Sequence, residues 1–175
     1  VKDKEDAVEF EGLNDSIELR NVHFTYDGER EVINDVNITI KRGQTVALVG
    51  PSGGGKSTLS ELIPRFYDTT EGDILFDGRS IKDYKQESLR QKMSIVSQET
   101  VLFNDTIEGN ILMGRPSATR EEVIEASKVA NAHGFIMHLP QGYDTLLTDD
   151  GANISKGQKQ LLTIARAMLL DAHML

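Results

Sequence analysis

An α/β fold is predicted by three observations. A short apolar run rich in β-branched residues, Thr45-Val46-Ala47-Leu48-Val49, enters a glycine-rich loop, and Leu59, Leu62 and Ile63 recur at helical spacing beyond it. Upstream, Ile17, Leu19, Val22 and Phe24, then Val36, Ile38 and Ile40, are separated by polar residues as in half-buried strands. Downstream, residues 106–138 carry mostly helical signals. The expectation is a nucleotide-binding α/β core with an N-terminal antiparallel β subdomain and an inserted α-helical subdomain.

The central element is Gly50-Pro51-Ser52-Gly53-Gly54-Gly55-Lys56-Ser57-Thr58, which fits the phosphate-binding pattern GxxxxGK[ST] and marks a P-loop NTPase core. Its glycines let successive backbone N–H groups face phosphate oxygens, and the following helix start adds its unpaired amides. Lys56 is expected to neutralise the β- and γ-phosphates, and the Ser57 hydroxyl to ligate magnesium. A bare strand-to-helix turn would have no use for Lys-Ser at this spacing.

The chain has 175 residues, enough for one domain with a real core, since a chain of that size buries roughly 70% of its unfolded surface. It contains no cysteine, which rules out disulfides, thiolate zinc sites and thiol catalysis within these residues. With 28 acidic against 19 basic residues the formal net charge is −9, which disfavours non-specific binding to nucleic acid or anionic lipid. Any phosphate site must therefore be local. No apolar run approaches the ~18 residues that suggest a membrane-spanning helix.

Residues 1–15, dense in Asp and Glu, are expected to form a solvated linker. The two alternating stretches that follow, with the turn signal Asp27-Gly28 between them, predict an antiparallel pair. Tyr26 ends the first strand. Alone it reads as an edge aromatic, and beside a phosphate loop as a ring on which a base can stack. The unbroken apolar run 45–49 predicts a strand buried on both faces. Pro64 should end the helix after the loop, residues 73–77 between Gly72 and Gly78 form another strand, and residues 87–92 a short helix. Ser94-Ile95-Val96-Ser97 predicts a buried strand ending at Gln98, which is either a cap or a weak oxygen ligand for magnesium. Thr119 with Glu122 predicts a capping box. His133 and His138 lack convincing metal-ligand partners. Gly151 to Gly157 form a second glycine-punctuated loop before a helix whose apolar face holds Leu161, Leu162, Ile164, Ala165, Met168 and Leu169. Ser155 is placed as its N-cap, with or without a second phosphate-binding role.

Together these residues resemble the nucleotide-binding domain of ATP-binding-cassette transporters, from about Ile17 onward. Tyr26 matches the family's adenine-stacking aromatic, residues 50–58 its Walker A loop, and Gln98 its Q-loop glutamine. Ile154-Ser155-Lys156-Gly157-Gln158 resembles the signature LSGGQ, with Lys156 in place of a glycine. Gly142-Tyr143-Asp144-Thr145, Asp149-Asp150-Gly151, Leu102-Phe103, Thr106-Ile107 and Asn110-Ile111 look exporter-like. The resemblance implies ATP and Mg2+ as ligands, residues 1–15 as a linker from a transmembrane domain, and residues 16–175 as the nucleotide-binding domain, with its helical subdomain at about 99–160. It further implies a head-to-tail second nucleotide-binding domain, homo- or heterodimeric, whose ATP would meet Ser155, Lys156, Gly157 and Gln158. The location implied is the cytoplasmic face of a membrane. The function implied is ATP hydrolysis powering export, the alternatives being a degenerate, non-catalytic half of an asymmetric exporter or a soluble cassette ATPase. The chain stops at Leu175, where the family's Walker B strand would begin, so no catalytic residue is assigned within it. The 175-residue piece is expected to bind nucleotide weakly without turnover, and to be unstable, oligomeric or dependent on another chain.

Overall fold

A computed structural model describes residues 1–97, 99–172 and 174. They fall into two compact units, one of Val1–Met93 with Met174 and one of the described residues of Ser94–His173.

The first unit is built on a four-stranded antiparallel sheet in the order β2-β1-β3-β4, with β1 at Ser16–Thr25, β2 at Glu31–Lys41, β3 at Glu71–Phe76 and β4 at Arg79–Ser80. The strand predictions for β1, β2 and β3 are met. The apolar positions of β1 switch parity between Leu19 and Val22, and those of β2 between Ile33 and Val36. A strict strand would send half of them to solvent. The pairing instead shifts register on both sides of Val22, with Asn21 and Asp35 in the left-handed region at φ 46° and 45°. These bulges return Ile17, Leu19, Val22, Phe24 and Ile33 to one buried core. Gly72 lies against the same irregularity: at φ 70°, a Cβ there would sit 2.0 Å from the Asn21 carbonyl oxygen, so only glycine fits.

Helix α1 runs Lys56–Leu62 and stops before Pro64; α2 runs Gln86–Gln91. Leu59, Leu62 and Leu89 join Ile74, Phe76 and Ile81 in the core of this unit.

Residues 1–15 are not the solvated segment that their acidity suggests. Phe10 and Leu13 are buried in the same core. The Phe10 amide donates to Ser88 Oγ at 2.9 Å, and the amides of Asn14, Asp15 and Ser16 donate to the Asp77 carboxylate at 2.8, 2.6 and 3.0 Å. Arg65, almost fully buried, donates to the Lys2 carbonyl at 2.9 Å. Two inserted apolar side chains and satisfied amides outweigh acids that point outward.

The expected strands at 45–49 and 94–97 are not formed among the described residues. Val49 is 91% exposed, and Val46, Leu48 and Ile95 are also exposed. An unbroken apolar run describes a surface that needs cover, but a strand exists only where a neighbour completes its ladder. No described residue pairs with either segment.

The second unit is helical: α3 at Ile107–Leu112, α4 at Arg120–Val129, α5 at His133–His138 and α6 at Lys156–Leu170. Ile107, Ile111, Val123, Ile136 and Leu147 pack with Leu162, Ala165 and Leu169 of α6, spaced three and four apart on one face. The predicted capping box of α4 is present, with Thr119 and Glu122 satisfying each other's backbone amides. Arg166 donates to the Asn110 carbonyl at 2.9 Å and to the Val101 carbonyl at 3.2 Å. Burial lowers its pKa from the usual arginine value.

Candidate functional site

Gly55 caps α1 at φ 79°, in the left-handed region, and makes no side-chain cap. A Cβ there would lie 2.8 Å from both the Val32 carbonyl oxygen and Ile33 Cδ1, so the loop passes β2 too closely for any other residue. Gly54 N donates to the Pro51 carbonyl at 3.2 Å and closes the turn. Lys56 folds back over the loop and donates to the carbonyls of Gly50 at 2.9 Å and Pro51 at 2.7 Å. Among the described residues, the amides of Gly55, Lys56 and Ser57 find no protein acceptor. They open onto a cavity of about 220 Å³ lined by Val32 and residues 52–58. Donors without acceptors beside a lysine make an anion site.

Ser57 is exposed on this cavity, one residue from Lys56. Among the described residues no group of three or more His, Cys, Asp or Glu could hold a metal ion. A magnesium ion that arrives with phosphates needs only one or two protein oxygens, so the Ser57 hydroxyl fits that role. Gln98, the other expected magnesium ligand, lies outside the described residues.

Tyr26 follows β1 and is 54% exposed. Its hydroxyl shares a hydrogen bond with Thr58 Oγ1 at 3.0 Å and donates to Glu61 Oε2 at 3.4 Å. The fold thus brings the expected base-stacking ring to the helix that the phosphate loop opens. Two neighbours carried no sequence signal: Val32, which reads as one more strand residue, and Tyr67, which lies in no motif.

In the second unit, Ser155 caps α6 within a complete capping box. Its hydroxyl accepts from Gln158 N at 3.2 Å, and Gln158 Oε1 accepts from Ser155 N at 2.9 Å. Lys156 and Gly157 are exposed, and a Cβ at Gly157 would meet nothing nearer than Ser155 Oγ at 4.0 Å. Ile154 is buried and anchors the turn to the core. Asp150 accepts from Leu102 N at 2.9 Å, which fixes the acidic loop before the signature. Tyr143 is buried with its hydroxyl 2.8 Å from His133 Nδ1, and Arg120 bridges Asp144 at 2.9 and 3.0 Å. Donation from Arg120 holds the Asp144 carboxyl below the usual range.

Residues 33–175 match the family described as ABC transporter. The chain belongs to that family. Two similar proteins, both named multidrug export ATP-binding/permease proteins, come from Staphylococcus aureus strains bovine RF122 / ET3-1 and NCTC 8325 / PS 47. Each is 56% identical over 154 residues, covering 87% of this chain and 27% of the relative. The chain therefore spans about a quarter of the length of these relatives. A solved structure of a bacterial Atm1-family ABC exporter with ATP bound is 45% identical, superposes with a TM-score of 0.93, and covers 98% of this chain and 30% of that one. The sequence and the α/β fold of this ABC transporter chain are those of an exporter-type nucleotide-binding domain.

Proposed function

We propose that the chain is the ATP-binding part of an exporter, an ABC-type ATPase whose hydrolysis powers transport of a substrate across a membrane. The observation that carries this reading is the set of amides at Gly55, Lys56 and Ser57, without an acceptor among the described residues, at a cavity that Lys56 also lines. Lys56 would move from the loop carbonyls to the β- and γ-phosphates, Ser57 and Gln98 would hold a magnesium ion, and Tyr26 would stack on adenine. Magnesium supplies charge neutralisation between the phosphates when bound. Phosphoryl transfer to water depends mainly on positioning and charge stabilisation. The loop residues from Gly50 to Thr58 would supply charge stabilisation, while no described residue is assigned to orient the attacking water, so these 175 residues are expected to bind nucleotide weakly without turnover.

A second nucleotide-binding domain faces this one head to tail. Ser155, Lys156, Gly157 and Gln158 then approach the γ-phosphate held by the partner. Ser155 still has its own hydroxyl proton to donate while its oxygen accepts from Gln158 N, so cap and ligand contact are compatible. A transmembrane domain is its partner, and the nucleotide-binding domain sits at the cytoplasmic face of the membrane. Identity of 56% to proteins named as exporters supports this over a soluble cassette ATPase. Lys156 in the signature favours a second reading, a degenerate half of an asymmetric exporter.

Titration with Mg-ATP by calorimetry tests the first step, with Lys56→Ala as control. Equal heats from both proteins would overturn the assignment. Sedimentation of the whole transporter's nucleotide-binding pair with and without ATP, followed by turnover of Lys156→Gly, separates the two readings. A gain of hydrolysis on restoring glycine supports the degenerate half.

A further inference from the structure

We propose that Tyr67 is a positioning residue for nucleotide binding, holding the Tyr26 ring at the angle from which it stacks on a base. This rests on the reading of Tyr26 as the base contact. Tyr26 belongs to a cluster of three rings. The buried Phe24, two residues earlier at the end of β1, packs edge to face with Tyr26 at a centroid distance of 4.8 Å and 87°. Tyr67, from the loop beyond α1, packs edge to face with the same ring at 5.3 Å and 90°, and meets Phe24 at 5.5 Å. All three separations fall in the favourable range for aromatic pairs.

The phenol end of Tyr26 is tied separately, to Thr58 and Glu61 on α1. A tyrosine side chain has two rotatable bonds. A hydroxyl tether alone leaves the ring free to turn about its long axis, the Cβ–Cγ line that runs on through the phenol oxygen, and perpendicular contacts with Phe24 and Tyr67 restrict that freedom. Tyr67 is itself 41% exposed, so its burial gives the core little. A ring fixed before the ligand arrives loses less conformational freedom on binding than a mobile one. Thr58 closes the loop that faces phosphate, so the same tether links the base-binding ring to the phosphate-binding turn.

The test compares Mg-ATP with Mg-tripolyphosphate, which has the phosphates and no base, by calorimetry on the full chain. Tyr67→Leu should weaken ATP about two- to tenfold, the size of one aromatic pair, and leave tripolyphosphate unchanged. Tyr67→Phe should restore ATP affinity because it keeps the ring. Tyr67→Met, longer and unbranched, is measured alongside so that a poorly folded leucine variant does not decide the result, and it should behave like leucine. Equal weakening of both ligands, or failure of Tyr67→Phe to restore binding, would show a structural role only and overturn the proposal. Tyr26→Leu is the control on the underlying reading. If it weakens ATP while Tyr67→Leu and Tyr67→Met do not, Tyr26 binds the base and Tyr67 does not position it. If Tyr26→Leu leaves ATP unchanged, the base contact itself fails and Tyr67 falls with it.

Discussion

Helices α1 and α6 each begin behind a glycine-bearing loop, yet their first turns are finished in different ways. At α6, Ser155 and Gln158 satisfy each other's amides, and Ile154 seals the turn to the core. At α1 the cap is Gly55, no side chain among the described residues accepts from the first turn, and the Lys56 side chain bonds to carbonyls. One start is complete in the protein alone; the other has donors waiting for an acceptor. The Asp77 carboxylate shows what supplying that acceptor does. It gathers three consecutive amides, Asn14, Asp15 and Ser16, as an oxyanion would gather those of the phosphate loop. A helix start with unfilled donors has the chemistry of an anion site, and a self-capped start is a surface to which a ligand can only add.

The largest expected effect breaks the open start. Lys56→Ala should weaken Mg-ATP binding about ten- to a hundredfold, corresponding to a charge-assisted interaction of about 1.5–3 kcal/mol, while the melting temperature holds. Calorimetric titration beside a thermal melt checks it. Next, Gly55→Ala should destabilise the first unit by about 1–3 kcal/mol, because the left-handed backbone and the Val32 carbonyl both oppose a Cβ. Urea unfolding measures that, and an unchanged midpoint would contradict the close approach. At the self-capped start, Ser155→Ala should cost about 1 kcal/mol of stability and Ser155→Gly only a few tenths, with ATP binding by the chain's own loop unchanged in both. A loss of binding in either variant would mean that the two starts are not independent.

The smallest effect sharpens the internal analogy. Burial works against the Asp77 carboxylate, but the amides of Asn14, Asp15 and Ser16 outweigh it and hold its pKa below the ordinary value. A depressed folded pKa gives stability that is present above the unfolded pKa, near ~3.9, and is lost as pH falls through the folded pKa. Asp77→Asn should remove its share of that acid-range dependence at a cost of less than about 1 kcal/mol near neutrality, since the residue is largely exposed and its charge screened despite the partial desolvation. Because Asp15, Asp27 and Asp83 are held below their ordinary values too, stability measured from about pH 5 down to 2 should show a shallower slope in Asp77→Asn than in the parent, and equal slopes would contradict the role of Asp77.

Much of the molecule was legible because its signals are local. Thr119 with Glu122 declares a capping box within four residues, Pro64 ends a helix, and Gly50 to Thr58 spell out a phosphate loop. The failures are equally specific. Residues 45–49 and 94–97 have strand composition but no partner among the described residues, and composition cannot report a partner. Phe10 and Leu13 were hidden by acidic neighbours whose charge says nothing about where two apolar side chains insert.

The phosphate-loop pattern, the caps at Thr119 and Ser155 and the alternating strands could be read from the chain alone, because backbone conformation and capping are set by residues within a turn of one another. The tertiary structure decided that the parity breaks become bulges, that Arg65 and Asp77 tie down the first fifteen residues, and that Tyr67 meets Tyr26. Those contacts join residues far apart in the chain, and their energy is released only when the core has already brought them together.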